Sequence, residues 1–189
     1  MTHKDALEIL DGLGNSPNMK KHGLGVGFAM TALYDYFQSA GKNPEMSEND
    51  WEVVGLLHDA DYEATNKSLE LHTEETTKKL RERNVDEMII ASIRGHCDKA
   101  PRNTLMAKSV YACDELAGLV VACALVQPEK KLSTLTHDSV MRKFRDGSFA
   151  KGANRDQIKS CERELGIPID RFVDIILAAM QEKHDELGL

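Results

Sequence analysis

Apolar residues recur at helical spacing along the whole chain, and no segment alternates apolar and polar residues as a half-buried strand does. An all-α fold is therefore the expectation. Helix signals punctuate the pattern: Thr2 is placed to cap a short helix carrying Ala6, Ile9, Leu10 and Leu13, which Gly14 ends. Ser16 followed by Pro17 opens a longer helix that closes at Gly41. Its stripe Met19, His22, Val26, Met30, Leu33, Phe37 advances by threes and fours, which sets His22 in line with core residues. Gly23, Gly25 and Gly27 lie inside this helical pattern with no strand before them, so they read as close helix packing and not as a phosphate loop.

Ser47 and Asp50 have capping-box spacing ahead of Trp51, Val54 and Leu57, and this apolar helix leads into His58 and should end near Asp61 and Tyr62. A polar helix is expected from Thr73 to Arg83. Asp86 then caps a short helix whose Ile89, Ile90 and Ile93 point the way for His96. Thr104 caps the most apolar helix, through Met106, Val110, Cys113, Ala117 and Val121 to the stop at Pro128, with Asp114 inside it. Helices over Thr136 to Arg145, Asn154 to Leu165 and Asp170 to about Leu187 complete the reading, and Gly147 to Gly152 is the one candidate flexible loop.

The length of 189 residues favours a single domain, 1–189, with a C-terminal helical extension from about 129. The longest apolar run, Leu116 to Val126, is far short of the ~20 residues a membrane-spanning helix needs. A net charge of −7 repels polyanions, so neither a nucleic-acid polymer nor a membrane is an expected partner, while a small phosphorylated ligand is compatible. Cys97, Cys113, Cys123 and Cys161 form no C-x-x-C pair and read as reduced core or surface thiols. The N-terminal residues have no basic-then-apolar plan, which makes a cytoplasmic location the expectation.

Seven histidines and fifteen aspartates would give fewer than one His-Asp pair by chance, yet three occur, and context separates them. His137-Asp138 opens a polar helix and His184-Asp185 lies in a charged tail, both solvated settings. His58-Asp59 follows Gly55-Leu56-Leu57, which implies burial, and a buried carboxylate needs a positive partner, either a basic side chain or a metal ion. Asp114 raises the same question, and His22 faces the core without an evident partner. One divalent ion would meet all three needs, since imidazole nitrogen and carboxylate oxygen are suitable ligands.

The order His22, His58-Asp59, Asp114 resembles the signature of the HD superfamily of metal-dependent phosphohydrolases. Leu56 to Glu63, Ala112 to Leu119, the stretch Val140-x-x-Lys143-Phe144-x-x-x-Ser148-Phe149-Ala150 and Leu165-Gly166-Ile167-Pro168 resemble a branch of small stand-alone HD proteins of bacteria and archaea. The resemblance implies an HD-domain-like helical bundle in which His22, His58, Asp59 and Asp114 bind a metal that activates water. It further implies that His72 and His96 hold a second ion bridged by Asp59; His96 follows an apolar stripe, whereas the charges around His72 give no sign of burial. The expected cofactor is one or two divalent ions (Mn, Fe, Co, Ni, Zn or Mg). The expected substrate is a small phosphorylated metabolite, with a nucleotide foremost. Asp59 is expected to ligate and to orient the water, and Asp61 to serve as an outer hydrogen-bond acceptor or proton acceptor. Lys20, Lys21, Arg94, Lys99 and Arg102 are the cations nearest the ligands in sequence, with solvated roles expected for each. The HD pair is followed by Ala60-Asp61 and not by a phosphate-binding Ile-Gly-Lys, and there is no Gly-Tyr-Pro motif, which disfavours cyclic-dinucleotide chemistry. Two other readings stay open: a di-iron HD-fold oxygenase, and a metal- or nucleotide-binding module without turnover.

Overall fold

The computed structural model describes residues 1–189, and all of its regular structure is helical. The helices are α1 (His3–Gly12), α2 (Pro17–Ser39), α3 (Glu48–Leu57), α4 (Glu74–Glu82), α5 (Glu87–Gly95), α6 (Leu105–Leu125), α7 (His137–Arg145), α8 (Arg155–Ile158), α9 (Ile169–Glu182) and α10 (His184–Leu187). Local chemistry sets most of their starts. Thr2 with Asp5 and Ser47 with Asp50 close reciprocal capping boxes, and the side chains of Ser16, Asp86, Thr104, Thr136 and Asn154 each accept from a first-turn amide. Gly14, Gly41 and Gly166 take positive φ just beyond helical segments.

Three boundaries differ from expectation. α3 stops at Leu57, and residues 58–73 form a run of turns in which short bonds such as Ala60 to Leu57 and Tyr62 to Asp59 replace the helical ladder. The segment from Asn154 to Leu165 is divided into α8 and a wide π turn over Cys161–Leu165. The helix expected from Asp170 to Leu187 is divided at Lys183, whose φ of −105° leaves the helical region without any glycine or proline to announce it.

Forty-five buried residues, from Ala6 to Leu187, form one contiguous apolar core. α2 lies at its centre, packed against α3, α6 and α9, and α6 in turn carries α5, α7 and α8. Trp51 is wholly buried; Phe37 and Tyr34 stand against its ring, and its indole N–H donates to the Glu45 carbonyl at 2.7 Å. No helix is long and apolar enough to cross a membrane.

The contact between α2 and α3 is made backbone to backbone. A Cβ on Gly23 would lie 2.7 Å from the Leu56 carbonyl oxygen, and one on Gly55 would lie 2.6 Å from the Gly27 backbone. The glycines of α2 are thus packing residues, and the crossing they permit brings His22, beside Gly23, to the end of α3 where His58 sits. A methyl group at position 55 has nowhere to go, whereas at Gly118, inside α6, nothing lies within 4 Å. We expect Gly55→Ala to cost about 3 kcal/mol by overpacking and Gly118→Ala to add about 0.5–1 kcal/mol by restricting the unfolded chain. Thermal melts of the two variants should move in opposite directions; equal shifts would contradict the packing argument.

Candidate metal centre

Four side chains from three helices and one turn meet at the α2–α3 crossing. His22 stands on the second turn of α2, His58 caps the end of α3, Asp59 begins the run of turns, and Asp114 comes from the middle of α6. His22 Nε2 lies 3.2 Å from His58 Nε2, 3.0 Å from Asp114 Oδ1 and 3.8 Å from Asp59 Oδ2. His58 Nε2 lies 3.3 Å from Asp114 Oδ1 and 3.7 Å from Asp59 Oδ2. No lysine or arginine pairs with either carboxylate; their partners are imidazoles.

A second group adjoins the first. His72 Nε2 and His96 Nε2 lie 3.0 Å apart, and each approaches the other oxygen of Asp59, Oδ1, at 3.1 and 3.2 Å. Asp59 thus turns one oxygen toward each pair of imidazoles. Ligands held ~2.0–2.2 Å from a common centre stand about 3.0–3.6 Å apart in octahedral or tetrahedral arrangement, which most of these spacings match, the two to Asp59 Oδ2 being slightly wider.

The proton positions strengthen that fit. His58 Nδ1 is bonded to the Gly55 carbonyl at 2.7 Å, His96 Nδ1 to the Ile93 carbonyl, and His72 Nδ1 to Asp61 Oδ1 at 2.9 Å. An acceptor at Nδ1 keeps the proton there and leaves Nε2 as a bare lone pair turned into the cluster. Lone pairs on neighbouring nitrogens and carboxylate oxygens repel one another at 3 Å unless a positive charge lies among them. In the protein alone a proton takes that part. Burial works against the charged form of His58, but Asp59 and Asp114 outweigh it and push its pKa up to about 9. Burial likewise opposes the ionised forms of Asp59 and Asp114, yet the surrounding imidazoles hold both well below the usual carboxylate range.

Asp61 is fully buried and already engaged. Its Oδ1 accepts from His72 Nδ1 and from the Thr73 amide at 2.8 Å, and its Oδ2 from the Thr76 amide at 3.0 Å. Burial alone would raise its pKa, but these donors keep it below the ordinary value. The carboxylate therefore fixes the ring of His72 and also caps α4. Beside it Thr73, a β-branched residue, is held at φ +68°, a left-handed conformation costing about 1–3 kcal/mol.

His72, whose charged neighbours in sequence give no sign of burial, is buried. It precedes α4 in the turn run, so Leu69 and Leu71 point outward while the imidazole turns in to Asp61. His137 and His184 lie outside the cluster, His137 against Asp170 and Asp174 and His184 against Asp185. The cations are largely committed elsewhere. Lys20 pairs with Asp11, Arg94 with Glu74, Arg102 with Asp98, and Lys99 donates to the Glu70 and His72 carbonyls, while Lys21 reaches over Gly188. Sequence reasoning missed Cys97, whose sulfur and one ring nitrogen each of His72 and His96 lie within 4.8 Å of one another. It also missed Glu115, next to Asp114, whose carboxylate accepts the Asn154 amide at 3.1 Å and ties the loop before α8 to this side of α6. Adjacency to His96 and Asp114 was the only signal for either.

A family model described as HD domain matches residues 20–119, more than half of the chain and a span that includes all six of these histidines and aspartates as well as Asp61. No curated protein and no solved structure matches the chain.

Replacing Asp61 tests its part in the scaffold. Asp61→Ala strands three buried donors, each worth about 1–3 kcal/mol when left unpaired. We expect metal-free Asp61→Ala to lose at least about 3 kcal/mol in urea unfolding, and Asp61→Asn, which keeps one carbonyl oxygen, to lose less. A change below about 1 kcal/mol in the alanine variant would contradict this role.

Proposed function

The chain belongs to the HD domain family, and from that premise we propose that it is a metal-dependent phosphohydrolase that cleaves a phosphate ester of a small phosphorylated metabolite, with a nucleotide as the leading candidate. The observation that carries this reading is the pair of adjoining nitrogen–oxygen cages that share Asp59. In this reading His22, His58, Asp114 and Asp59 would hold one ion, and His72, His96 and Asp59 would hold a second. Four imidazoles suit Mn, Fe, Co, Ni or Zn better than Mg, which takes oxygen ligands and retains water. When bound, such ions polarise a phosphoryl oxygen and lower the pKa of water toward neutrality.

The chain's own groups have distinct parts. The Nδ1 partners of His58, His72 and His96 set each ring so that Nε2 faces inward. Asp59 presents both oxygens to the centre, where it can accept a hydrogen bond from the attacking water. Asp61 acts through His72 as a positioning residue and takes no proton from substrate, because both its oxygens are already accepting. The helices beyond residue 129 belong, in this reading, to the same domain, since they share its core.

Metal stoichiometry and a phosphatase screen test the proposal together. We expect about two ions per wild-type chain, about one in a His72→Ala, His96→Ala double variant, and neither full occupancy nor turnover above background in Asp59→Ala. Asp61→Asn should weaken the second ion by about 10–100-fold, as loss of a ligand's supporting hydrogen bond does. One tightly bound ion in both the wild type and the double variant would overturn the two-ion reading. Absence of phosphate release from every nucleotide and sugar phosphate, with any of these metals, would leave a binding module; iron with oxygen consumption would favour oxidative chemistry.

A further inference from the structure

The sulfur of Cys97 belongs with the second group of imidazoles. Cys113, Cys123 and Cys161 are buried, whereas Cys97 is half-buried at the end of α5, one residue beyond His96. Its Sγ and one ring nitrogen each of His72 and His96 form a set within 4.8 Å of one another. The turn that carries it is fixed to the turn that carries His72: Lys99 Nζ donates to the Glu70 carbonyl and to the His72 carbonyl at 2.6 Å.

A second observation lies next to His72. The Thr73 side chain is 0% exposed, and its hydroxyl has no hydrogen-bond partner. An unpartnered buried hydroxyl is costly, by about 1–3 kcal/mol, and a thiolate beside it would supply the missing acceptor. In the metal-free protein the thiol is weakly engaged, its S–H donating to the Arg94 carbonyl at 3.5 Å.

We propose that Cys97 is a ligand of the second ion, its sulfur joining His72, His96 and Asp59 to make a thiolate-containing donor set unlike the nitrogen–oxygen set around His22, His58 and Asp114. The proposal rests on the two-ion reading above. On ligation the S–H bond breaks, the proton passes to solvent, and the sulfur electron pair forms the bond to the divalent ion; no electron is transferred. A thiolate discriminates among metals where imidazole and carboxylate do so less: it favours Zn, Co or Fe and disfavours Mg and Mn. The two positions would then differ in the ions they select.

Titration of the metal-free protein with Co(II) reads this directly, because a cobalt–thiolate bond gives a near-ultraviolet charge-transfer band that imidazole and carboxylate ligands do not. The band should be present in the wild type with two Co(II) bound and absent in Cys97→Ser, which still binds cobalt at the other position and binds the second ion about tenfold or more weakly. Alkylation of Cys97, followed peptide by peptide in a mass spectrometer, gives a second measurement independent of that variant. Co(II) or Zn(II) should slow it at least tenfold in the wild type and leave it unchanged in the His72→Ala, His96→Ala variant. Two bound cobalt ions without the band, a band that persists in Cys97→Ser, or alkylation indifferent to metal would each overturn the proposal while leaving the two-ion reading in place. A wild type that binds fewer than two cobalt ions would overturn both.

Discussion

The direct backbone contact between α2 and α3 is the constraint on which the rest of the centre depends. Interhelical distances of 8–10 Å are usual where side chains separate the helices, but Gly23 and Gly27 on one helix and Gly55 on the other remove that separation. Each glycine inside a helix costs roughly 0.5–1 kcal/mol relative to alanine, so the crossing is maintained against helix propensity. What it achieves is visible one residue from Gly23 and three from Gly55: His22 and His58 bring their Nε2 atoms to 3.2 Å. α6, packed against α2 in turn, then needs only to present Asp114 to both.

Carboxylates from distant parts of the chain organise what the glycines bring close. Asp61 accepts the Thr73 and Thr76 amides at the start of α4, where Thr73 itself supplies no side-chain cap. Glu63 accepts the Ser16 amide and hydroxyl at the start of α2, and Glu45 accepts the Leu105 and Met106 amides at the start of α6. All three place negative charge at a helix N-terminus, where unpaired amides and the helix dipole favour it. Two of them belong to residues 58–73, so the irregular stretch after the HD pair is held to α2 and α4 by helix ends. Asn15 adds to this by donating to the Ala60 carbonyl at 2.7 Å.

Most helix starts were legible in the sequence because their caps are local: a serine, threonine or aspartate acting on an amide two or three residues away is a pattern within a short window. The long-range caps left no such trace. Asp61 looked like a turn former, and nothing near Thr73 said that a carboxylate twelve positions earlier would cap its helix. The same contact explains His72, whose neighbours Glu70, Glu74 and Glu75 suggested solvent; burial there is decided by Asp61 and by the turn run, not by helical periodicity. His22 and His96, by contrast, sit in apolar stripes, and periodicity located both. The breaks at Lys183 and after Ile158 fall where no glycine or proline stands, so a local reading had nothing to stop at.

Exposure divides the centre into a front and a back. His22, Asp59 and Asp114 retain 24%, 21% and 16% of their side-chain surface, whereas His58, His72 and His96 keep 0%, 4% and 5%. A small molecule arriving from solvent therefore meets the cage built on α2 and α6 first, with His72 and His96 behind the shared carboxylate. Of the nearby cations, Lys20, Arg94, Lys99 and Arg102 are spent on carboxylates and carbonyls, which leaves Lys21, beside His22, without a carboxylate partner. The net charge of −7 gives the chain no long-range attraction for an anionic ligand, and Asp59 and Asp114 stand at this opening. Bound divalent ions would reverse that locally, since two such ions outweigh Asp59 and Asp114 together. On the proposed reading the same ions would serve to admit a phosphate as well as to polarise it, and occupancy of the cages would be the condition for binding and not only for chemistry.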